Sequence, residues 1–340
     1  MSPTRSREGR EATGLTVAIT GPTGTFGSGL VPLLQEDDRI ARIVGIARRP
    51  FDPGERGWTK MTYRQGDVRE PESLRAAFSD ADVVVHLAFL ITGNAPRRTT
   101  RAINVDGTLN AFRAARDTGA HRFVYASSAA AYGFGSDLPS RIDEDWPVRP
   151  AARLFYAREK AELEGLLKTE AEAEGAPELY LLRPPVVVGP NAVGGKDLPG
   201  SLARFGRRLS GGLRRFPVPL PVPDHSLQLV HEEDVGQALQ LCIVGAGPPG
   251  AYNVAGDGVL SAADVARELG ARPLRFPPAP TQWAARAAAR LPFLPPVAEW
   301  VEAASQPVIL DTTRAKQQLG WSPRYTGLEA LRDTLAPRPD

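Results

Sequence analysis

The chain predicts a doubly wound α/β fold: an open parallel sheet with helices on both faces, followed by a smaller C-terminal lobe. Two observations carry this. Up to Arg183, short β-branched runs alternate with longer helical stretches; beyond it the texture turns rich in proline and glycine. With 340 residues, 42% hydrophobic and 24% charged, there is enough chain for one large or two coupled domains.

Taken in order, LTVAIT (15–20), RIVGIA (42–47), TYRQ (62–65), VVVHLA (83–88), RFVYAS (122–127) and LYLLR (179–183) read as strands. FGSGLVPLLQ, PESLRAAF, RAINVDGTLNAFRAARDTG and FYAREKAELEGLLKTEAEAEG have helical spacing and helical residue types between them. Past Arg183, stretches such as RPPVVVGPNAVGGKDLPG and RRFPVPLPVPDHS make regular structure sparse. The expected organisation is a loose polar tail over 1–13, a first domain over 14–183 and a second lobe over 184–340 that returns in part to the sheet.

Charge is nearly balanced, 41 Lys plus Arg against 39 Asp plus Glu, so nucleic acid is not the favoured partner. The polar opening run carries no apolar stretch after its positive charges, which speaks against a secretory signal. Apolar runs such as 83–91 are far shorter than the roughly 20 residues that span a bilayer, so no membrane partner is expected. Cys242 stands alone and no Cys/His cluster suggests zinc, which fits a reducing cytoplasm.

Gly21, Gly24 and Gly27 follow the first strand and open the first helix. A turn of this kind lets backbone approach a pyrophosphate while amides at the helix start face the anion. In that context it reads as a dinucleotide site, although its Gly-x-x-Gly-x-x-Gly spacing departs from Gly-x-Gly-x-x-Gly. Tyr156 and Lys160, four residues apart near a helix start, share one face. An ammonium beside a phenol favours the phenolate, bringing a pKa of about 10 toward neutrality, where the group can relay a proton. Ser127 and Ser128 lie at the carboxyl edge of the fifth strand, where a hydroxyl can donate to a carbonyl oxygen as charge develops on it.

Together these residues resemble the extended short-chain dehydrogenase/reductases, the NAD-dependent epimerase/dehydratase group. The resemblance covers about 15–335 and includes Gly66-Asp67-Val68, His86-Leu87-Ala88, the Asn104 segment, Arg183-Pro184, Val188-Gly189-Pro190 and Val230 to Val235. It implies a Rossmann domain whose cofactor meets Gly21, Thr23, Gly24, Thr25, Phe26 and Gly27 along the turn. Asp67 and Val68 would meet adenine, Leu87 and Ala88 would line the cofactor path, and Pro184, Val186 and Val187 would lie near the nicotinamide carboxamide. Ser128, with Ser127 the less favoured choice, would polarise the substrate oxygen. Tyr156 would be the general acid/base, Lys160 would lower its pKa and hold the nicotinamide ribose, and Asn104 would order the helix and water behind them. Tyr132 is expected to pack. At the end of strand two, NAD-specific relatives place an aspartate; Ala47-Arg48-Arg49 here favours NADP over NAD, unless both arginines point to solvent. The family also implies a homodimer through helices at 98–118 and 151–175, with Ala114, Ala115, Leu163, Leu166 and Leu167 as apolar contributors.

The leading function is net hydride transfer between nicotinamide and a small-molecule carbonyl or secondary alcohol. Alternatives are a sugar-nucleotide epimerase or dehydratase and a dinucleotide-binding protein without turnover. A typical nucleotide sugar is disfavoured: the stretch Arg183–Pro190 lacks the amide such relatives offer a diphosphate, and no arginine precedes His231 in Asp224–Val230. Apolar Phe89, Leu90, Ile91 and Val193 suggest a less polar substrate, while Arg204, Arg207, Arg208, Arg214 and Arg215 could rebuild an anion clamp or form a solvated face. The cluster from His231 to Asp234 is expected to start a helix rather than bind metal. His86 reads as a satisfied core residue, His121 and His225 as loop residues, and Trp283, Trp300 and Trp321 as packing for the C-terminal lobe.

Overall fold

The computed structural model describes residues 14–91, 96–149, 154–192, 219–276 and 306–336. The tail over 1–13, Val193, the basic run with its five arginines, Trp283 and Trp300 lie outside them.

Six strands appear where the sequence placed them: β1 (Leu15–Thr20), β2 (Ile40–Ala47), β3 (Met61–Gln65), β4 (Val83–His86), β5 (Arg122–Ala126) and β6 (Glu178–Arg183). After β7 (Val186–Val188), β8 (Pro219–Pro223), β9 (Ser226–Leu227) and β10 (Leu229–His231), the chain returns to the sheet as β11 (Gly250–Asn253). The seven-stranded sheet has the order β11-β6-β5-β4-β1-β2-β3, parallel throughout. Strand order reverses between β1 and β4, so a crevice opens at their carboxyl ends, the place where such sheets bind ligands.

Alternation along the strands builds two cores. Val17, Ile19, Val83 and Val85 pack toward α1 (Thr25–Glu36) and α6 (Glu232–Ile243). Ala18, Val84, Phe123 and Tyr125 pack toward α2 (Pro71–Phe78), α4 (Gly107–Asp117) and α5 (Phe155–Ala171). The α4 helix extends a shorter α3 (Arg97–Arg101) through a π turn over Ala102–Asp106.

Beyond Arg183 the chain is more regular than expected. Besides α6 it forms β12 (Leu260–Ser261), α7 (Ala262–Glu268), β13 (Arg272–Phe276) and α8 (Gly327–Leu335). Each of these three helices is capped by a side chain: His231 Nδ1 accepts from Glu233 N, and Ser261/Asp264 and Thr326/Glu329 form reciprocal capping boxes. Trp321 is buried in the α1/α6 face, its Nε1 donating to Asp234 O at 2.9 Å.

The apolar stripe assigned to a partner chain is largely internal. Ala114, Ala115, Leu163 and Leu167 face the sheet, fully buried, because α4 and α5 turn their small and aliphatic residues inward; Leu166 is the exposed member. Ion pairs Arg101–Glu162 and Arg113–Glu170 join these two helical segments within one chain. No helix among the described residues is long and apolar enough to cross a membrane.

Candidate active site

The glycine turn stands at the carboxyl end of β1. Gly21 has φ +70°, a left-handed conformation that favours glycine, and a β-carbon there would come within 3.1 Å of the Ala88 backbone. A β-carbon on Gly27 would overlap the Pro22 carbonyl. No side chain caps α1 at Gly24 and no carboxylate stands in its first turn. The residues therefore fit a pyrophosphate: the positive end of the helix dipole is left without a competing anion.

Ser128, Tyr156 and Lys160 meet in the crevice. Ser128 caps the turn after β5, its Oγ accepting from Ala130 N at 3.1 Å, and it shares the cavity wall with Tyr156. Ser127 points the other way, as the next residue of an extended segment must, and donates to Glu164 Oε1 at 2.6 Å. Burial pushes the Tyr156 phenol up from its ordinary pKa, with the Ser128 hydroxyl opposing.

Lys160 departs from expectation. Its Nζ donates to Tyr125 Oη at 3.0 Å and to Ala126 O at 2.6 Å, and it sits 3.7 Å from the centre of the Phe89 ring but 5.9 Å from that of Tyr156. The reason is geometric: the end of β5 offers two acceptors nearer than the phenol. Burial brings the ammonium down to about 7, against the pull of Glu164 and Glu159.

Asn104, in the π turn, is a clip. Its Nδ2 donates to Leu90 O at 3.0 Å and Glu159 Oε2 at 2.7 Å, and its Oδ1 accepts from Leu90 N at 2.8 Å. This ties the segment carrying Phe89 and Ile91 to α5. His86 is a satisfied core residue, Nδ1 at 2.9 Å from Thr20 Oγ1 and Nε2 at 3.0 Å from Thr108 Oγ1; burial holds its pKa down to about 3, so it is neutral.

A cavity of about 440 Å³ joins these groups. Of the sequence-derived residues it takes Gly21, Gly24, Thr25, Phe26, Leu87, Ser128, Tyr156, Lys160, Pro184, Val186 and Val187. Thr23, Gly27, Arg48, Arg49, Asp67, Val68, Ala88 and Asn104 are not in its lining. Arg48 and Arg49 are exposed at the end of β2. Asp67 is bound by Arg69 at 2.6 Å, which holds its carboxyl below the usual range, and Val68 is buried against Gly107. The sequence gave no site role to Tyr125, Phe134, Leu154, His225, Leu227, Gln306 or Val308, all of which line the cavity. His225, read as a plain loop residue, is half-buried there, and burial lowers its pKa. Nothing local marks these residues; tertiary pairing brings them in.

The sequence of residues 17–255 matches the NAD dependent epimerase/dehydratase family. The chain belongs to that family. The uncharacterised protein Rv0501 of Mycobacterium tuberculosis (strain ATCC 25618 / H37Rv) is 26% identical over 326 residues, 93% of this chain and 82% of that one. Among solved structures, gox2253 superposes with a TM-score of 0.74 at 24% identity, covering 94% of this chain and 96% of its own. The Bordetella bronchiseptica enzyme WbmG, crystallised with NAD and UDP, superposes with a TM-score of 0.70 at 21% identity, covering 95% of this chain and 93% of that one. At these identities the structures share the fold. Membership of this family supports nicotinamide-dependent oxidoreductase-type chemistry.

Proposed function

We propose that this protein is an NAD(P)-dependent dehydrogenase/reductase that interconverts a carbonyl and a secondary alcohol with net hydride transfer. The observation that carries the reading is the meeting of Ser128, Tyr156 and Lys160 in one cavity with the uncapped glycine turn. When bound, the nicotinamide would supply or accept the hydride. The glycine turn would hold its pyrophosphate, and Lys160 its ribose. The Ser128 and Tyr156 hydroxyls, lining the same cavity, would meet one substrate oxygen. In reduction, Tyr156 Oη gives its proton to that oxygen while Ser128 donates a hydrogen bond; in oxidation the phenolate takes the proton back. A phenol raised by burial is protonated at neutral pH, which suits the reductive direction.

Phe89, Ile91, Phe134, Leu227 and Val308 make the wall largely apolar, and among the described residues no arginine lines it. Asn191, beside Thr25, is engaged, its Nδ2 donating to Glu232 Oε1 at 2.9 Å. A nucleotide diphosphate would therefore lose charge-assisted hydrogen bonds worth about 1.5–3 kcal/mol each. The runner-up, a sugar-nucleotide epimerase or dehydratase with retained NAD, is supported by family membership. Calorimetric titration with UDP-, GDP- and dTDP-sugars separates the two: the dehydrogenase reading expects no binding at micromolar concentration, and micromolar affinity for any of them overturns it.

Two narrower proposals accompany this reading. NADP is the preferred cofactor, supported by exposed Arg48 and Arg49 where a carboxylate would otherwise bind the ribose. The chain pairs as a homodimer through the outer faces of α4 and α5, supported by exposed Leu166.

A further inference from the structure

The buried end of Lys160 is held by Tyr125 and Ala126 at the end of β5, near a Thr108–His86–Thr20 chain whose proton positions can be deduced. Thr108 has one hydroxyl proton, and Asn104 O takes it at 2.5 Å. His86 Nε2, 3.0 Å from the same oxygen, must then be the donor, which leaves Nδ1 to accept from Thr20 at 2.9 Å. Tyr125 Oη accepts from Lys160 Nζ at 3.0 Å.

We infer that Tyr125 is a positioning residue whose phenol oxygen keeps the Lys160 ammonium charged and in place for the proposed reaction. The inference rests on the Tyr156–Lys160 reading above. An oriented oxygen acceptor in a dry site stabilises an ammonium and does nothing comparable for the neutral amine. Ala126 O at 2.6 Å and the Phe89 face at 3.7 Å act in the same direction. The titratable groups around Nζ are Tyr125 on β5, Tyr156, Glu159 and Glu164 on its own helix, and His86 on β4. The two carboxylates support the charge, and His86 is neutral. Burial, the largest influence, opposes it, so the charge depends on these groups acting together.

Removing the Tyr125 oxygen should lower the Lys160 pKa, so that the ammonium is lost at a lower pH. The chain has five lysines, Lys60, Lys160, Lys168, Lys196 and Lys316, few enough to follow individually by NMR after labelling with ε-¹³C lysine. The full chain is titrated with no added ligand, and the Lys160 signal is assigned by its disappearance in Lys160→Met. Tyr125→Phe is expected to move the Lys160 midpoint down by about one unit or more while the other four stay in place. Replacing Tyr125 with 4-fluorophenylalanine, which fills the space of the oxygen with a poor acceptor, should move it the same way. A merely structural role would leave the midpoint alone. An unchanged or raised midpoint in folded Tyr125→Phe overturns the inference, and should that variant not fold, an unchanged midpoint in the 4-fluorophenylalanine variant does so. The titration needs no substrate. If Lys160→Met retained turnover while Tyr125→Phe shifted the midpoint, the catalytic reading would fail and the holding contact would stand.

Discussion

A four-residue spacing is a local property, which is why Tyr156 and Lys160 could be paired from sequence and why their common face on α5 is as expected. The choice between Ser127 and Ser128 rests on the family resemblance; alternation along the extended segment sends Ser128 to the crevice and Ser127 to Glu164. What α5 alone does not contain is the partner of Lys160. Tyr125 reaches it because β5 runs beside β4 and β6, and no spacing within the sequence encodes that register. The same holds for His225 in the cavity wall. The cofactor preference also belongs to this scale. Two exposed guanidinium groups at the end of β2 attract a 2′-phosphate, so NADPH should give the higher kcat/KM, and replacing both Arg48 and Arg49 by Ala should erode that advantage. A wild-type preference for NADH would remove the basis for the NADP assignment.

At the scale of elements, strands dense in Val and Ile announce themselves, and the β1–β6 boundaries lie within a residue or two of those expected. The helices after Arg183 had signals that composition masked: Ser261-x-x-Asp264 and Thr326-x-x-Glu329 are capping boxes, set among prolines and glycines that suggested loops. The packing of α6 on α1 was not legible. Gly29 and Gly236 let these helices touch backbone to backbone; a β-carbon on Gly236 would overlap Gly29 O, and one on Gly29 would overlap Glu232 O. This contact fixes the helix whose N-terminus faces the proposed pyrophosphate site. Gly236→Ala should therefore destabilise the protein by ~1–3 kcal/mol through overpacking, despite the better helix propensity of alanine. Gly165→Ala in α5, where nothing lies within 4 Å of the added carbon, should stabilise by up to about 1 kcal/mol. Chemical denaturation of both variants checks the pair, and equal effects would refute the packing argument.

Across the whole molecule, a buried network joins the sheet to the returning chain. Glu164 accepts from Arg183 at 2.9 and 2.5 Å, Arg183 donates to Tyr132 Oη at 2.7 Å, and Tyr132 donates to Asn253 Oδ1 at 2.8 Å. Asn253 then donates to Ile142 O and Asp311 O. The sequence marked Tyr132 as a packing residue, and it is buried here; its hydrogen-bond partners come from segments far apart in the chain, so they were not readable in advance. Pairing of two chains is proposed for the outer faces of α4 and α5, and light scattering at micromolar concentration should give about twice the 36.5 kDa chain mass; a monomer there would exclude it. The central claim is that Tyr156 and Lys160 support net hydride transfer to an apolar carbonyl. Its most direct test is to mix the wild-type protein with NADPH and a panel of apolar ketones, following absorbance and alcohol formed together. The account predicts that NADPH is consumed one for one with alcohol, and that Tyr156→Phe and Lys160→Met, both folded, lose about 10²-fold or more of that rate. Wild-type rates in either variant, or turnover of a sugar nucleotide with no net change in cofactor, would contradict it.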